Sequence, residues 1–145
     1  MTACYNAVMG LVDYGENRIL DAMLGSDHSS VFPATVYIGL FTSAPNDAGS
    51  GGVEVTGGSY ARVSVNPLDA NWTAASSVDG VTTNAAAITF PAPTANWGTV
   101  THFGIFDATT TGNLLFHGAL SASRVISNGD AAPQFAAGAL SVTFA

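Results

Sequence analysis

Trp97-Gly98-Thr99-Val100-Thr101-His102-Phe103-Gly104-Ile105-Phe106-Asp107 is followed, after a polar Thr- and Gly-containing break, by Asn113-Leu114-Leu115-Phe116-His117-Gly118-Ala119-Leu120. Both runs are rich in aromatic and branched residues, the pattern of two strands joined by a loop. With residues 107–112 as the loop, Phe106 faces Asn113, Ile105 faces Leu114, Phe103 faces Phe116 and His102 faces His117. Side chains alternate between the faces of a strand, so Phe103, Ile105, Leu114 and Phe116 are expected together on the core side. A lone hairpin is marginal in water, so further strands must pack against it.

The flanking sequence supplies them. Val36-Tyr37-Ile38-Gly39-Leu40-Phe41 is apolar on both alternating sets, as in a central strand covered on two faces. Val53-Glu54-Val55 reads as a short extended piece. Tyr60–Val65 reads as a strand with Ala61, Val63 and Val65 inward, and Ala85–Phe90 as another, ended by Pro91 and Pro93. Ser123–Ile126 and Ala139–Phe144 are the last strands, separated by the turn signal Asn128-Gly129-Asp130, and Leu140, Val142 and Phe144 share a face. Thr42–Gly52 is a loop, and Asn66–Thr83 is an irregular connection with Trp72 as its one large anchor.

One helix precedes these strands. Asp13 and Glu16 fit a capping box, Ile19, Leu20, Met23 and Leu24 form the apolar stripe, and Gly25 is placed to end the helix in a left-handed conformation. Tyr5–Val12 either prolongs this helix or forms a separate arm, one able to dock on a neighbouring subunit through Tyr5 and Val8. The expected class is mainly β: an antiparallel sandwich or barrel of about seven short strands with one N-terminal helix. Residues 1–25 form the arm and helix and residues 26–145 the β-sandwich, one structural domain overall.

Composition narrows the function. The chain has 145 residues, a net charge of −7, 9% charged residues and no lysine; Arg18, Arg62 and Arg124 are the only Lys or Arg residues. Phosphate backbones and anionic membranes require clustered Lys and Arg, so neither nucleic acid nor a membrane surface is an expected partner. So little charge, with a mean hydropathy of +0.33, suits a surface partly covered by other subunits. The one cysteine, Cys4, excludes an intrachain disulfide. No basic n-region or long apolar run suggests a secretory signal or a transmembrane helix.

Little in the sequence points to catalytic chemistry. The glycines at 49, 51, 52, 57 and 58 cannot form a P-loop without a lysine. Ser, His28 and Asp residues are present without a nucleophile elbow, and Cys4 has no cationic neighbour in sequence to activate it. Glu16 and Glu54 are the only glutamates, a poor basis for paired-carboxylate glycoside cleavage. Asn71-Trp72-Thr73 matches a glycosylation acceptor by composition alone. His102 and His117 are the sharpest candidates, because two imidazoles facing each other offer half of a metal site, yet a third ligand is not evident. No metal, cofactor or catalytic residue is expected.

Several runs carry a resemblance. Glu16–Asp21, Val36–Thr42, Gly52–Arg62 with its Glu54-Val55-Thr56-Gly57-Gly58-Ser59-Tyr60-Ala61-Arg62 core, Ile88–Pro91, Asn96–Asp107 and Gly112–Gly118 together resemble a family of small tailed-bacteriophage virion proteins, often labelled tail-fibre proteins. The resemblance runs from about residue 16 to the C-terminus and brings no catalytic residues. It implies a non-enzymatic structural component of the virion, assembled in the bacterial host cytoplasm. A compact β-rich subunit with an arm suits capsid decoration or cement, as a homo-oligomer (a trimer, for example) bound to the major capsid protein. The alternatives are a tail-fibre or tail-adaptor component, and a host-surface glycan-binding module using Tyr60, Trp72 or Trp97 as exposed aromatics.

Overall fold

A computed structural model describes residues 9–25, 32–67, 70–74 and 80–143. In chain order these form β1 (Met9–Leu11), α1 (Asp13–Leu24), β2 (Val36–Phe41), β3 (Val63–Val65), β4 (Val81–Thr83), β5 (Ile88–Thr89), β6 (Gly98–Phe106), β7 (Leu114–Ile126), β8 (Gln134–Phe135) and β9 (Ser141–Thr143). A five-stranded antiparallel sheet has the order β1-β7-β6-β2-β3, and β4-β9 and β5-β8 form two small antiparallel pairs. The protein is mainly β, a sandwich-like antiparallel fold with one N-terminal helix.

The principal core lies on one face of the large sheet. Ile38, Leu40, Phe103, Ile105 and Leu115 meet Phe90, Phe135, Leu140 and Val142 from the smaller pairs and their flanks. Phe103 and Phe90 both pack edge-on against Phe135, an arrangement aromatic quadrupoles favour. A smaller cluster of Val12, Phe41, Phe106 and Leu114 is separate from it. Gly39 and Gly104 are paired across β2 and β6. A Cβ on Gly104 would lie 2.6 Å from Leu114 and 2.9 Å from Phe41, and one on Gly39 would lie 3.0 Å from Phe106. These two glycines therefore let the second cluster lie close on the sheet.

The hairpin forms with a different register. His102 pairs with Ala119, Phe103 with Gly118, Gly104 with His117 and Ile105 with Phe116, but Phe106 pairs with Leu114. Relative to expectation most of the pairing slips by two residues, which preserves faces; a bulge at Leu115 then shifts it by one, which reverses them. Leu114 consequently joins the second cluster, and Leu115 takes a place in the principal core. The turn responsible is tied by Asp107, which accepts Asn113 N–H and Asn113 Nδ2–H at 2.7 and 2.8 Å.

Other expectations change as well. The segment Ser123–Ile126 is the continuation of β7, not a separate strand, and Ala61 is exposed. Within 66–83, Val81–Thr83 pairs with β9, and Trp72 makes a single bridge to Asn84. Asn84, a polar residue between two expected elements, is fully buried. Its Nδ2 donates to the carbonyls of Ala86 and Ala136, and its Oδ1 accepts Leu140 N–H at 2.8 Å. Leu140 and Val142 are buried as expected, whereas Phe144 lies outside the described residues.

The helix departs most from expectation. Val12, buried and hydrogen-bonded from its N–H to Leu115 O, is the N-cap; no side chain caps the helix, so the capping box is not formed. Asp13 and Glu16 still occupy the first turn, where the helix dipole favours acids. Gly25 ends the helix in an extended conformation, φ −87° and ψ −177°, instead of a left-handed one. Gly15 is the only buried helical residue, and a Cβ there would sit 2.9 Å from Leu115 O. The backbone docks at that point, while Leu20, Met23 and Leu24 are 55%, 71% and 82% exposed. The expected inward stripe therefore does not face the core, because the close contact is made one turn earlier through a residue without a side chain.

Candidate functional site

The motif from Glu54 to Arg62 builds a dense polar cluster. Glu54 bridges to Phe41 at the end of β2, and Val55 N–H donates to Leu40 O at 2.9 Å. The chain then reverses through Gly57 and Gly58, Tyr60 N–H donating to Gly57 O. Arg62 arrives just before β3 and grips Glu54 with two parallel bonds, Nε to Oε1 at 2.8 Å and Nη2 to Oε2 at 2.7 Å. Its Nη1 donates to Ala108 O and Thr111 O at 2.9 and 2.8 Å. The guanidinium carbon lies 3.3 Å from the centre of the Phe106 ring. Only 8% of the Arg62 side chain is exposed.

Tyr60 completes the cluster. Its hydroxyl donates to Glu54 Oε1 at 2.9 Å and accepts Leu40 N–H at 2.8 Å. Burial pushes the phenol far above its usual pKa, and the neighbouring Glu54 carboxylate adds to this, so the hydroxyl stays protonated. The Tyr60 ring stacks on Phe90 and meets Trp97 edge-on, with centroids 5.3 Å apart in the second pair. Trp97 Nε1 donates to Gly58 O at 3.0 Å. The two most distinctive runs of the sequence, one around Trp97 and one from Glu54 to Arg62, are thus partners in a single lock.

Chemically the lock is closed. Arg62 spends four hydrogen bonds on Glu54 and two carbonyls, leaving no bidentate fork for a substrate anion. A buried charge so paired stiffens its surroundings and fixes which segments meet. Here it holds the tip of the β6–β7 hairpin, with Thr109, Thr110 and Thr111 exposed at its end. The sequence sets Glu54 and Arg62 in one distinctive run without pairing them, although each belongs to a very small set: three Lys or Arg residues and two glutamates in the whole chain.

The other candidates fall differently. Trp97 is 5% exposed and Tyr60 half-buried, so both are packing residues and not the exposed aromatics expected. Trp72 is half-buried and packs against the principal core. Tyr5, Val8, Cys4 and His28 lie outside the described residues. His102 and His117 share a face of the sheet as diagonal neighbours, not a directly opposed pair. Thr101 Oγ1 lies 2.8 Å from His102 Nδ1, and burial together with the positive potential of His117 lowers the pKa of His102. Among the described residues no three His, Cys, Asp or Glu side chains are grouped to hold a metal.

Among the curated proteins none matches this sequence. One family model does, described as Podophage GP4 fiber I protein gp80, and it matches residues 10–143, a span that takes in nearly all of β1 and every later element. It contains both halves of the Glu54–Arg62–Trp97 lock and reaches further toward the N-terminus than the runs that first carried the resemblance. The chain therefore belongs to the podophage fiber protein family gp80 and is a structural protein of a phage virion.

Proposed function

We propose that this protein is a non-enzymatic subunit of a tail fibre, working by adhesion between virion components. The observation that carries the reading is the match of a fiber protein family over residues 10–143. That family favours a fibre position over the capsid decoration expected from size and shape alone. The lock supports a structural role, since its arginine, glutamate and tyrosine engage one another and leave no activated group. Self-association through exposed apolar residues of α1 accounts for Leu20, Met23 and Leu24 lying in solvent, and assembly takes place in the host cytoplasm.

The test is to disrupt purified particles and follow the protein with an antibody through separated heads and tails. Co-purification with tails at a low copy number per particle is expected. Recovery with empty heads at hundreds of copies would return the reading to capsid decoration. Turnover of a cell-wall or polysaccharide substrate by the purified chain would overturn the non-enzymatic reading.

A further inference from the structure

Ser127-Asn128-Gly129-Asp130, the turn that leaves β7, carries the one Asn-Gly step in the chain; every other asparagine is followed by a residue with a side chain. The difference matters to backbone chemistry. A peptide nitrogen that follows asparagine can attack the side-chain carboxamide carbon and close a succinimide ring. A side chain on the attacking residue crowds that approach, and glycine has none. The turn itself is tight and exposed. Ser127 O accepts Asp130 N–H at 3.1 Å, Gly129 sits third with φ +81°, and Asn128 and Gly129 both face solvent. Glycine takes that φ without steric cost, and a Cβ there would meet nothing within 4 Å.

Two hydrogen bonds restrain the reaction. Gly129 N–H, the group that must attack, donates to Pro93 O at 3.0 Å, and Asn128 N–H donates to Asn96 Oδ1 at 2.9 Å. Attack therefore waits until the turn lets go of the 93–96 segment. We infer that Asn128 is a self-modifying site that deamidates slowly, at a rate set by its hold on Pro93 and Asn96. Solvent base takes the Gly129 amide proton, the nitrogen bonds to Asn128 Cγ, and the bond from Cγ to Nδ2 breaks with release of ammonia. One water then opens the succinimide at either carbonyl. The product is aspartate, or isoaspartate with the main chain running through the side-chain carbon. Either product adds one negative charge to a chain of net charge −7, close to Asp130, whose Oδ2 accepts Ser127 N–H at 2.8 Å. Isoaspartate also lengthens the backbone between the two held N–H groups, which takes them out of register with Pro93 and Asn96. The turn after β7 is thus a slow timer that loosens as the protein ages.

The experiment incubates the full chain at neutral and mildly alkaline pH, beside a free peptide spanning Ile126–Ala131, and follows both by peptide mapping and mass spectrometry. Asn128 should gain one mass unit and divide into aspartate and isoaspartate, faster at the higher pH. Asn84, which is buried, and Asn113, whose side chain bonds to Asp107, should stay intact. The native chain should react about tenfold more slowly than the peptide, and Asn96→Ala about fivefold faster than wild type, as two hydrogen bonds and one of ordinary strength would give. Asn128→Gln, whose longer side chain closes a less favourable ring, should give no product. Circular dichroism and thermal unfolding establish that Asn96→Ala is folded; should it unfold, the ratio of native chain to peptide reads the restraint by itself. An Asn128 left intact while the peptide converts, a native rate equal to that of the peptide, an unchanged rate in folded Asn96→Ala, or earlier modification of Asn84 or Asn113 would overturn the inference.

Discussion

Two regions of this molecule invert the usual reading of polar and apolar sequence. The Glu54–Arg62 segment is full of glycine, hydroxyl and charged residues, yet it packs into a buried lock in which Arg62 is 8% exposed at its side chain. Helix α1 carries the apolar stripe of a core helix, yet Leu24 is 82% exposed. The difference lies in which residues find partners. Arg62 meets a carboxylate, two carbonyls and an aromatic face within hydrogen-bonding or stacking reach, so its burial is fully compensated. The helix is brought in through Gly15, and its apolar side chains do not reach the core.

Breaking the lock should have the largest effect. Arg62→Ala leaves Glu54 partly buried without its partner and frees the carbonyls of Ala108 and Thr111. A loss of about 3–5 kcal/mol is expected from the general cost of unpairing a buried charge, read as a fall in the urea midpoint. Replacing both members, Arg62→Met with Glu54→Leu, should cost less than Arg62→Ala alone; a larger loss would show that the pair itself, and not the stranded charge, holds the fold.

Gly104→Ala tests the close approach of the second cluster. The added methyl would meet Leu114 and Phe41 at 2.6 and 2.9 Å, and overpacking of this kind costs about 1–3 kcal/mol. Thermal unfolding checks it, and an unchanged melting temperature would mean that Leu114 can move aside.

The histidine pair gives a smaller, pH-dependent effect. The pKa of His102 is lowered in the folded state from an ordinary value of 6.5, so the unfolded chain binds more protons in that window. Stability therefore rises with pH there, and is lost as pH falls below about 6.5 toward the folded-state value. Comparing urea midpoints at pH 7.5 and 5 in wild type and His102→Gln isolates the contribution. An equal loss in both proteins would assign the pH dependence to other groups.

The smallest effect belongs to the helix. Leu20→Ser, Met23→Ser and Leu24→Ser should each change the stability of the isolated chain by less than about 0.5 kcal/mol, as for surface sites without special contacts. If any of them lowers stability by more than 1 kcal/mol in dilute monomer, the helix is not the unsupported region described. Sedimentation of the triple variant against wild type shows whether this face joins copies.

Much of the β architecture was legible from local pattern. The hairpin, the central strand at 36–41 and the inward alternation at Leu140 and Val142 follow from period-two apolar spacing, which is written residue by residue. The runs around Trp97 and from Glu54 to Arg62 also carried the family, and that resemblance is met by the match over residues 10–143. The bulge at Leu115, by contrast, needs Asp107 to capture Asn113 across the turn, and nothing in the local pattern states it. Asn84 looks like a loop residue until five hydrogen bonds to backbone carbonyls and amides enclose it.

The sequence by itself determined that the chain is mainly β and poor in charge, because composition and alternation are properties of neighbouring residues. Tertiary structure alone decided which aromatics are packing and which polar residues are buried, turning Trp97 into core and Arg62 into a clamp. It also left Leu24 in solvent. The reason is that burial depends on partners far away in the chain, 46 and 49 residues away for the carbonyls Arg62 holds, and no local pattern encodes a partner at that distance.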